Sequence, residues 1–234
     1  MQIKAVIFDL DNTLTHRDLS VQAYSHRLCE VYAAQLLENP IQQVIDIIRR
    51  IDCGGYPKKE HLTQATIGAS VAEALITHLA WTHPPELDDL TQFWFENFGA
   101  SAVAMPNAEH VLSTLKQHGY RLAVISNGGH QTRLNILQGL GFLHYFELVV
   151  SSELVGVAKP QPAIFHYTAA QLDVEHHTCL YVGDHPINDI QGASQAGMQA
   201  LWLAGFHDSV LNHTHKIQNL LQIHEHLDYL TALN

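Results

Sequence analysis

Short apolar runs separated by amphipathic segments constrain the fold of this chain more than any other feature. The runs are rich in Val, Ile and Leu and are nearly continuous, which is typical of strands covered on both faces of a sheet. Helical patterns separate the later runs, and alternation of strand and helix favours right-handed crossovers between parallel strands. The sequence therefore predicts an α/β fold with a doubly wound, Rossmann-like parallel sheet. The predicted strands are 3–8, 121–126, 146–151, 178–182 and 199–203.

A long segment with helical patterning separates the first predicted strand from the second. Apolar residues recur there at the spacing of an amphipathic helix face. We expect residues 17–100 to form a helical cap subdomain, inserted into a core made of residues 1–16 and 101–234. Helices are predicted at 21–36, 41–51, 69–80 and 86–98 in the insertion, and at 107–118, 130–139, 161–172, 187–196 and 216–230 in the core.

The composition argues against several classes of function. The chain has 234 residues, of which 47% are hydrophobic, so it can bury a sizeable core. Its formal net charge of −11 argues against a broad surface for nucleic acid or anionic membranes. Three scattered cysteines form no disulfide framework, and we expect neither a signal peptide nor a membrane helix of ~18 apolar residues. These features predict a cytoplasmic protein without a nucleic-acid or membrane partner.

Polar residues follow the predicted strands near the points where the strands end. In an open parallel sheet, ligands bind beyond the carboxyl ends of the strands, so we expect these residues to share one edge. Because side chains alternate along a strand, Asp9 and Asp11 are expected to leave the strand end on one side. The residues are Asp9, Asp11 and Thr13 after the first strand, Ser126 and Asn127 at the second, Lys159 beyond the third, and Asp184 and Asp189 after the fourth.

This set of side chains suits the transfer of a phosphoryl group. Mg²⁺ prefers a few carboxylates together with water and phosphate oxygens, and Asp9 and Asp184 offer two carboxylates. Lys159 supplies positive charge, and the Ser126 hydroxyl supplies a donor for phosphate oxygens. One carboxylate can act as the nucleophile, and a second can move the proton. Each motif alone is common in turns and helix caps, so the prediction depends on their joint occurrence.

In these motifs the chain resembles the haloacid dehalogenase-like hydrolase superfamily. The segment 9–13, with the sequence DLDNT, is similar to its first motif, Asp-x-Asp-x-Thr. Ser126 is similar to the second motif and Lys159, followed by proline, to the third. The Gly-Asp pair at 183–184, together with Asp189, is similar to the fourth. The motifs occur in the family's order, and the helical insertion is similar to the family's cap of the first type.

The resemblance implies a division of roles among the acids. Asp9 would be the nucleophile and a magnesium ligand. Asp11 would be the general acid/base and would bind magnesium through its backbone carbonyl, while Asp184 would complete the metal site. Asp189 would orient the metal waters or Lys159. An acid at position 11 favours phosphate monoesters, because the expulsion of halide needs no proton and the dehalogenase branch typically lacks this acid.

The resemblance also implies a phosphate-binding set. Ser126 would hold the transferring phosphoryl group, and Lys159 would neutralise it and hold Asp9 in place. Thr13 and Asn127 would support the loops and the phosphate pocket. The implied reaction is the magnesium-dependent hydrolysis of a small-molecule phosphate monoester through an aspartyl phosphate.

Selection of the substrate is expected to depend on a loop of the helical insertion. The segment 52–59 contains two glycines and is a candidate for a loop that projects toward the site. Tyr56 could contact the organic part of a substrate, and Lys58 or Lys59 a second anionic group. The alternative is a plain connector with solvated lysines. The expected partner is a small phosphorylated metabolite, and the expected state is a monomer or a homodimer.

Three other functions fit parts of the same pattern. A sugar-phosphate mutase or phosphotransferase would use the same aspartyl phosphate with a different acceptor. A 2-haloacid dehalogenase would share the fold and the nucleophile. A non-catalytic phosphate-sensing module would also combine acids, a hydroxyl and a Lys-Pro pair, but it needs a phosphoacceptor Asp on a middle strand. No Asp ends the predicted strands 121–126 or 146–151.

Overall fold

The computed structural model describes residues 2–208 and 215–232, and its centre is a parallel sheet of six strands. The strand order is β3-β2-β1-β4-β5-β6, and every pairing is parallel. This confirms the predicted α/β fold with a doubly wound parallel sheet. The strands are β1 (Ala5–Phe8), β2 (Arg121–Ser126), β3 (Leu148–Ser151), β4 (Cys179–Gly183), β5 (Gln199–Leu203) and β6 (Lys216–Ile217).

The first strand lies in the middle of the sheet, between β2 and β4. All of its residues are buried, and their side chains alternate between the two faces. Val6 and Phe8 belong to one apolar cluster, whereas Ala5 and Ile7 belong to the other. The strand therefore has no wet face, which is the physical reason for its uninterrupted apolar sequence. Its carboxyl end opens onto the same edge as the ends of β2 and β4.

Helices cover both faces of the sheet. The α5 helix (Ala108–Gln117) packs Val111 and Leu115 on the face of Val6, and α8 (Pro162–Gln171) packs Phe165 on the opposite face. The remaining helices that follow β2 are α6 (His130–Gly139), α7 (Ser152–Val155), a π-helical turn (Pro186–Gln191), α9 (Gly192–Gln195) and α10 (Gln222–Ala232).

Four helices lie between β1 and α5 in the region predicted as an insertion. Their shared interior contains an aromatic group in which the Trp94 ring lies 4.9 Å from that of Tyr24 and 4.4 Å from that of Phe98. A Cβ atom at Gly68 would lie 2.5 Å from the Trp94 ring, so two helices approach closely there. This interior is continuous with the core on one face of the sheet. The helices are α1 (Arg17–Val31), α2 (Ile41–Asp52), α3 (Ile67–His78) and α4 (Leu87–Asn97).

Two predictions near the C-terminus were wrong in detail. The segment 216–230 was expected to be one helix, but Lys216–Ile217 forms the edge strand β6 and the helix begins only at Gln222. The edge of β5 holds this short segment, because Leu203 and Ile217 are paired and both are buried. The helix expected at 187–196 is a π-helical turn followed by α9. Within the described residues, no helix is both long enough and apolar enough to cross a membrane.

Candidate active site

Three carboxylates meet a lysine at the carboxyl edge of the sheet. Oxygens of Asp9, Asp184 and Asp189 all lie within 4.8 Å of one another, and the three residues are buried. Lys159 Nζ donates hydrogen bonds to Asp9 Oδ1 at 2.5 Å and to Asp189 Oδ1 at 2.6 Å. It also donates to the Tyr181 hydroxyl at 3.0 Å. The structure thus brings together four of the residues singled out from the sequence.

The sheet and its first turns hold these side chains in place. The Asp9 amide donates to the Val182 carbonyl, which extends the ladder between β1 and β4 by one bond. A Cβ atom at Gly183 would lie 2.5 Å from the Asp189 carboxylate, so a larger residue would push Asp189 away. The π-helical turn carries Asp189 back toward the strand end, where the His185 amide donates to its Oδ2.

The carboxylate cluster fits a hard divalent cation. Burial raises the pKa of Asp9 well above its ordinary value; Lys159 lowers it, and the charges of Asp189 and Asp184 raise it further. One lysine therefore does not balance three carboxylates. Asp9 Oδ2 is buried and has no hydrogen-bond partner among the described residues. Such an oxygen is a ligand of the kind that Mg²⁺ or Ca²⁺ prefers, and a cation there would compensate the negative charge.

The residues after β2 lie beside the lysine. Ser126 is buried at the end of β2. The Asn127 side chain accepts from the Lys159 amide at 2.9 Å and donates to the Lys159 carbonyl at 3.1 Å, so it clamps the segment that carries the lysine. The Gly128 amide donates to the Ser152 hydroxyl and is already paired. Thr13 is buried in the turn after β1, and its hydroxyl has no partner within the described residues.

Asp11 has different surroundings from the three clustered acids. Its Oδ1 accepts from Arg17 Nη1 at 3.0 Å, and its Oδ2 accepts from Arg133 Nη1 at 2.5 Å. Burial opposes ionisation of this carboxyl group, but the two guanidinium charges outweigh it, and the pKa of Asp11 is lowered. Asp11 is thus held as a carboxylate by two buried arginines.

Sequence reasoning missed both of these arginines. Arg17 begins α1 and Arg133 lies in α6, and a charged residue at a helix surface normally predicts exposure. Each is buried because it meets Asp11, and Arg133 is 122 positions away from that partner. One weak signal was available for Arg17, which follows the DLDNT motif closely enough to reach back to it.

The loop from the helical insertion reaches the carboxylate cluster. The Tyr56 hydroxyl donates to Asp184 Oδ1 at 3.1 Å. Its ring lies 4.8 Å from that of His185 and 4.9 Å from that of His207. The His207 Nε2 atom is 3.2 Å from Asp184 Oδ2. Burial, followed by the surrounding acids, raises the pKa of Tyr56, which keeps its phenol protonated.

The other loop residues named from the sequence lie differently. Lys58 and Lys59 are solvent-exposed. The Asn12 side chain donates to the Gly54 carbonyl at 3.1 Å, so the turn after β1 touches the loop directly. Beside this contact is a cavity of about 180 Å³ between the start of α1, the loop and residues 206–207.

Comparisons with known proteins agree with this geometry. A model of the haloacid dehalogenase-like hydrolase family matches residues 3–197. A glyceraldehyde 3-phosphate phosphatase from Methanopyrus kandleri is 29% identical over 84% of this chain and 82% of its own length. A phosphoserine phosphatase from Thermus thermophilus is 36% identical over 42% of this chain, but the match spans only 39% of that relative.

Solved structures give the same fold over nearly the whole chain. The HAD-hydrolase YfnB from Bacillus subtilis, described as bound to magnesium, has a TM-score of 0.73 at 20% identity, covering 97% of this chain and 100% of that one. A 2-haloacid dehalogenase from Pseudomonas syringae pv. Tomato DC3000 has a TM-score of 0.62 at 28% identity, covering 98% of this chain and 100% of that one. Since the family match spans most of the chain and the four motifs meet at one edge of its sheet, the protein belongs to the haloacid dehalogenase-like hydrolase family.

Proposed function

We propose that this protein is a magnesium-dependent phosphatase that hydrolyses a small-molecule phosphate monoester through an aspartyl phosphate on Asp9. The observation that carries the proposal is the buried Asp9 carboxylate, which has one oxygen on Lys159 and the other without a partner among the described residues. The phosphatase relative that matches over most of the chain supports the same class of reaction.

The chain's own residues would divide the reaction into two steps. Asp9 attacks phosphorus while the bond to the leaving oxygen breaks, and Asp11 protonates that oxygen. Asp11 then takes a proton from the water that hydrolyses the aspartyl phosphate. Asp9, Asp184 and the Asp11 backbone carbonyl would hold the cation, which when bound would neutralise the carboxylates and the phosphoryl oxygens.

The remaining residues of the set would bind and orient. Ser126 would donate its hydroxyl to a phosphoryl oxygen, and Lys159 would neutralise the group while it restrains Asp9. Asn127 would act mainly through the segment of Lys159, which it clamps on both sides. Asp189 would orient Lys159, to which it is directly bonded, and Thr13 would support the turn.

The helical insertion, residues 17–100, would act as a cap over a core of residues 1–16 and 101–234. Tyr56 already reaches the carboxylate cluster, which supports its role as a substrate contact. Lys58 would meet an anionic group only at the rim, because it is exposed. The small cavity beside the loop favours a compact metabolite. We expect a cytoplasmic monomer or homodimer with no nucleic-acid or membrane partner.

A dehalogenase activity is the second candidate. One of the structures of the same fold is a 2-haloacid dehalogenase, and the arginines that hold Asp11 ionised would not impede a leaving group that needs no proton. The test is a screen for phosphate release from sugar phosphates, nucleoside monophosphates, phosphoglycolate, flavin phosphates and an aryl phosphate, with and without Mg²⁺. Chloride release from 2-chloropropionate is measured in parallel. Chloride without phosphate would overturn the phosphatase assignment.

Magnesium is expected to stabilise the folded protein as well as activate it. A ligand that binds only the folded state at 100 times its Kd adds about 2.7 kcal/mol to the free energy of unfolding. Chemical denaturation with and without Mg²⁺ measures this gain. The gain should largely disappear in Asp184→Asn and persist in Asp228→Asn, whose carboxylate is exposed on α10. An equal gain in both variants would place the cation elsewhere.

Replacing Tyr56 by alanine is expected to raise KM about tenfold, since tenfold corresponds to about 1.4 kcal/mol of lost binding. Tyr56→Phe keeps the ring contacts and loses only the hydroxyl, so its KM should rise less. Steady-state kinetics on the best substrate of the screen checks this. Tyr145→Phe is the control, because that tyrosine lies at the far side of the core beside Glu109. An unchanged KM in Tyr56→Ala would make the loop a plain connector.

A further inference from the structure

Arg17 joins three parts of the protein that are distant in function. Its Nη1 atom donates to Asp11 Oδ1 at 3.0 Å. Its Nε and Nη2 atoms donate to the two oxygens of Asp52 at 3.0 and 2.6 Å, which is a bidentate pair. Its guanidinium also stacks 4.3 Å from the centre of the Phe98 ring, near the return crossing of the insertion. Arg17 therefore touches both ends of the insertion and Asp11 at the same time.

Asp52 connects this arginine to the loop that carries Tyr56. Asp52 is the last residue of α2, and its Oδ2 atom also accepts from the Gly55 amide at 3.0 Å. A Cβ atom at Gly55 would lie 3.3 Å from Asp11 Oδ2, so the loop rests against the Asp11 carboxylate. The position of the loop and the orientation of Asp11 are thus linked through one buried side chain.

The burial of this network separates it from an ordinary surface ion pair. The side chains of Arg17, Asp11 and Asp52 are 4%, 8% and 1% exposed, respectively. By contrast, the Arg49–Asp18 pair on the same two helices has both side chains 44% exposed. A buried bidentate contact restricts side-chain rotation far more than a solvated one. Arg17 has only one orientation that satisfies both acids.

We propose that Arg17 is the positioning residue for Asp11, and that its bidentate contact with Asp52 aligns Asp11 with the leaving oxygen when the 52–56 loop is docked. The inference rests on the proposed phosphatase function. In the first step the Asp9 oxygen bonds to phosphorus, the bond from phosphorus to the leaving oxygen breaks, and the electron pair stays on that oxygen. Asp11 supplies the proton to this oxygen. Arg17 remains a guanidinium throughout and exchanges no proton.

The test compares leaving groups that differ in their need for a proton. An alkyl phosphate, such as β-glycerol phosphate, needs a proton on its leaving oxygen, whereas p-nitrophenyl phosphate expels a stable phenolate. The quantity to compare is kcat/KM, because it reports only the steps up to the first irreversible one. In Arg17→Gln, kcat/KM should fall about 10²-fold for the alkyl ester and less than about fivefold for p-nitrophenyl phosphate. Arg17→Lys keeps the charge and should recover part of the alkyl activity.

Two further variants keep the result interpretable. Arg17→Gln alone leaves Asp52 buried without its counter-charge and could unfold the protein. The double variant Arg17→Gln/Asp52→Asn removes both charges together, leaves Arg133 on Asp11, and should show the same selective loss. Arg27→Gln is the matched control on α1, since Arg27 contacts Asn97 and should leave both substrates unaffected.

The outcomes separate this inference from the proposed function. An equal loss for both esters in the folded double variant would show a merely structural arginine and overturn the positioning role. No loss for either ester would overturn it as well. Absence of phosphate release by the unaltered protein would instead overturn the proposed function itself.

Discussion

Asp9→Asn should lower the turnover number by at least ~10³-fold, because it removes the covalent nucleophile. The asparagine has nearly the same shape as the aspartate, and its oxygen can still accept from Lys159. We therefore expect the variant to remain folded. Steady-state phosphate release and a thermal unfolding curve on the same preparation measure both properties.

The control for this variant is Asp228→Asn, which removes one carboxylate from the exposed face of α10 and should retain full activity. If Asp9→Asn kept its activity within tenfold of the original, the nucleophile would have to be another group. If it lost activity together with its unfolding transition, the loss would report a structural effect, and the comparison would move to Asp9→Glu.

Lys159→Met is expected to produce the largest loss of stability. The lysine is buried against Asp9 and Asp189, and these two carboxylates would lose their only direct cationic partner among the described residues. Removing one member of a buried ion pair typically costs about 3–5 kcal/mol, because the remaining charge is left uncompensated. Methionine approximates the lysine stem, so the loss would reflect charge more than a cavity. Urea denaturation without added metal measures it.

Two further observations sharpen the Lys159→Met experiment. Mg²⁺ should recover part of the lost stability, since it places positive charge among the same carboxylates. Lys4→Met is the control, because that side chain is exposed at the opposite end of β1 and should change the free energy of unfolding by less than about 0.5 kcal/mol. A similar small change in Lys159→Met would mean that the carboxylates are neutralised by protons and not by the lysine.

The sheet was predictable because burial on both faces leaves a strong local pattern. The runs at 121–126 and 199–203 agree with β2 and β5, and the run at 3–8 contains β1. Parallel strands bring their carboxyl ends to one edge, so the meeting of Asp9, Lys159 and Asp184 also followed from sequence and topology. The strand β6 was not predictable, because two residues carry no periodicity and are held by pairing with β5.

The sequence by itself determined the parallel sheet and the set of side chains at its carboxyl edge, since local apolar patterns and strand ends are properties of short segments. Only the tertiary structure decided the surroundings of Asp11. The arginines that hold it come from α1 and α6, and the loop that rests on it comes from the end of α2. Such contacts depend on how distant segments pack, and a charged residue that is buried by a distant partner has the same local sequence as one that is solvated.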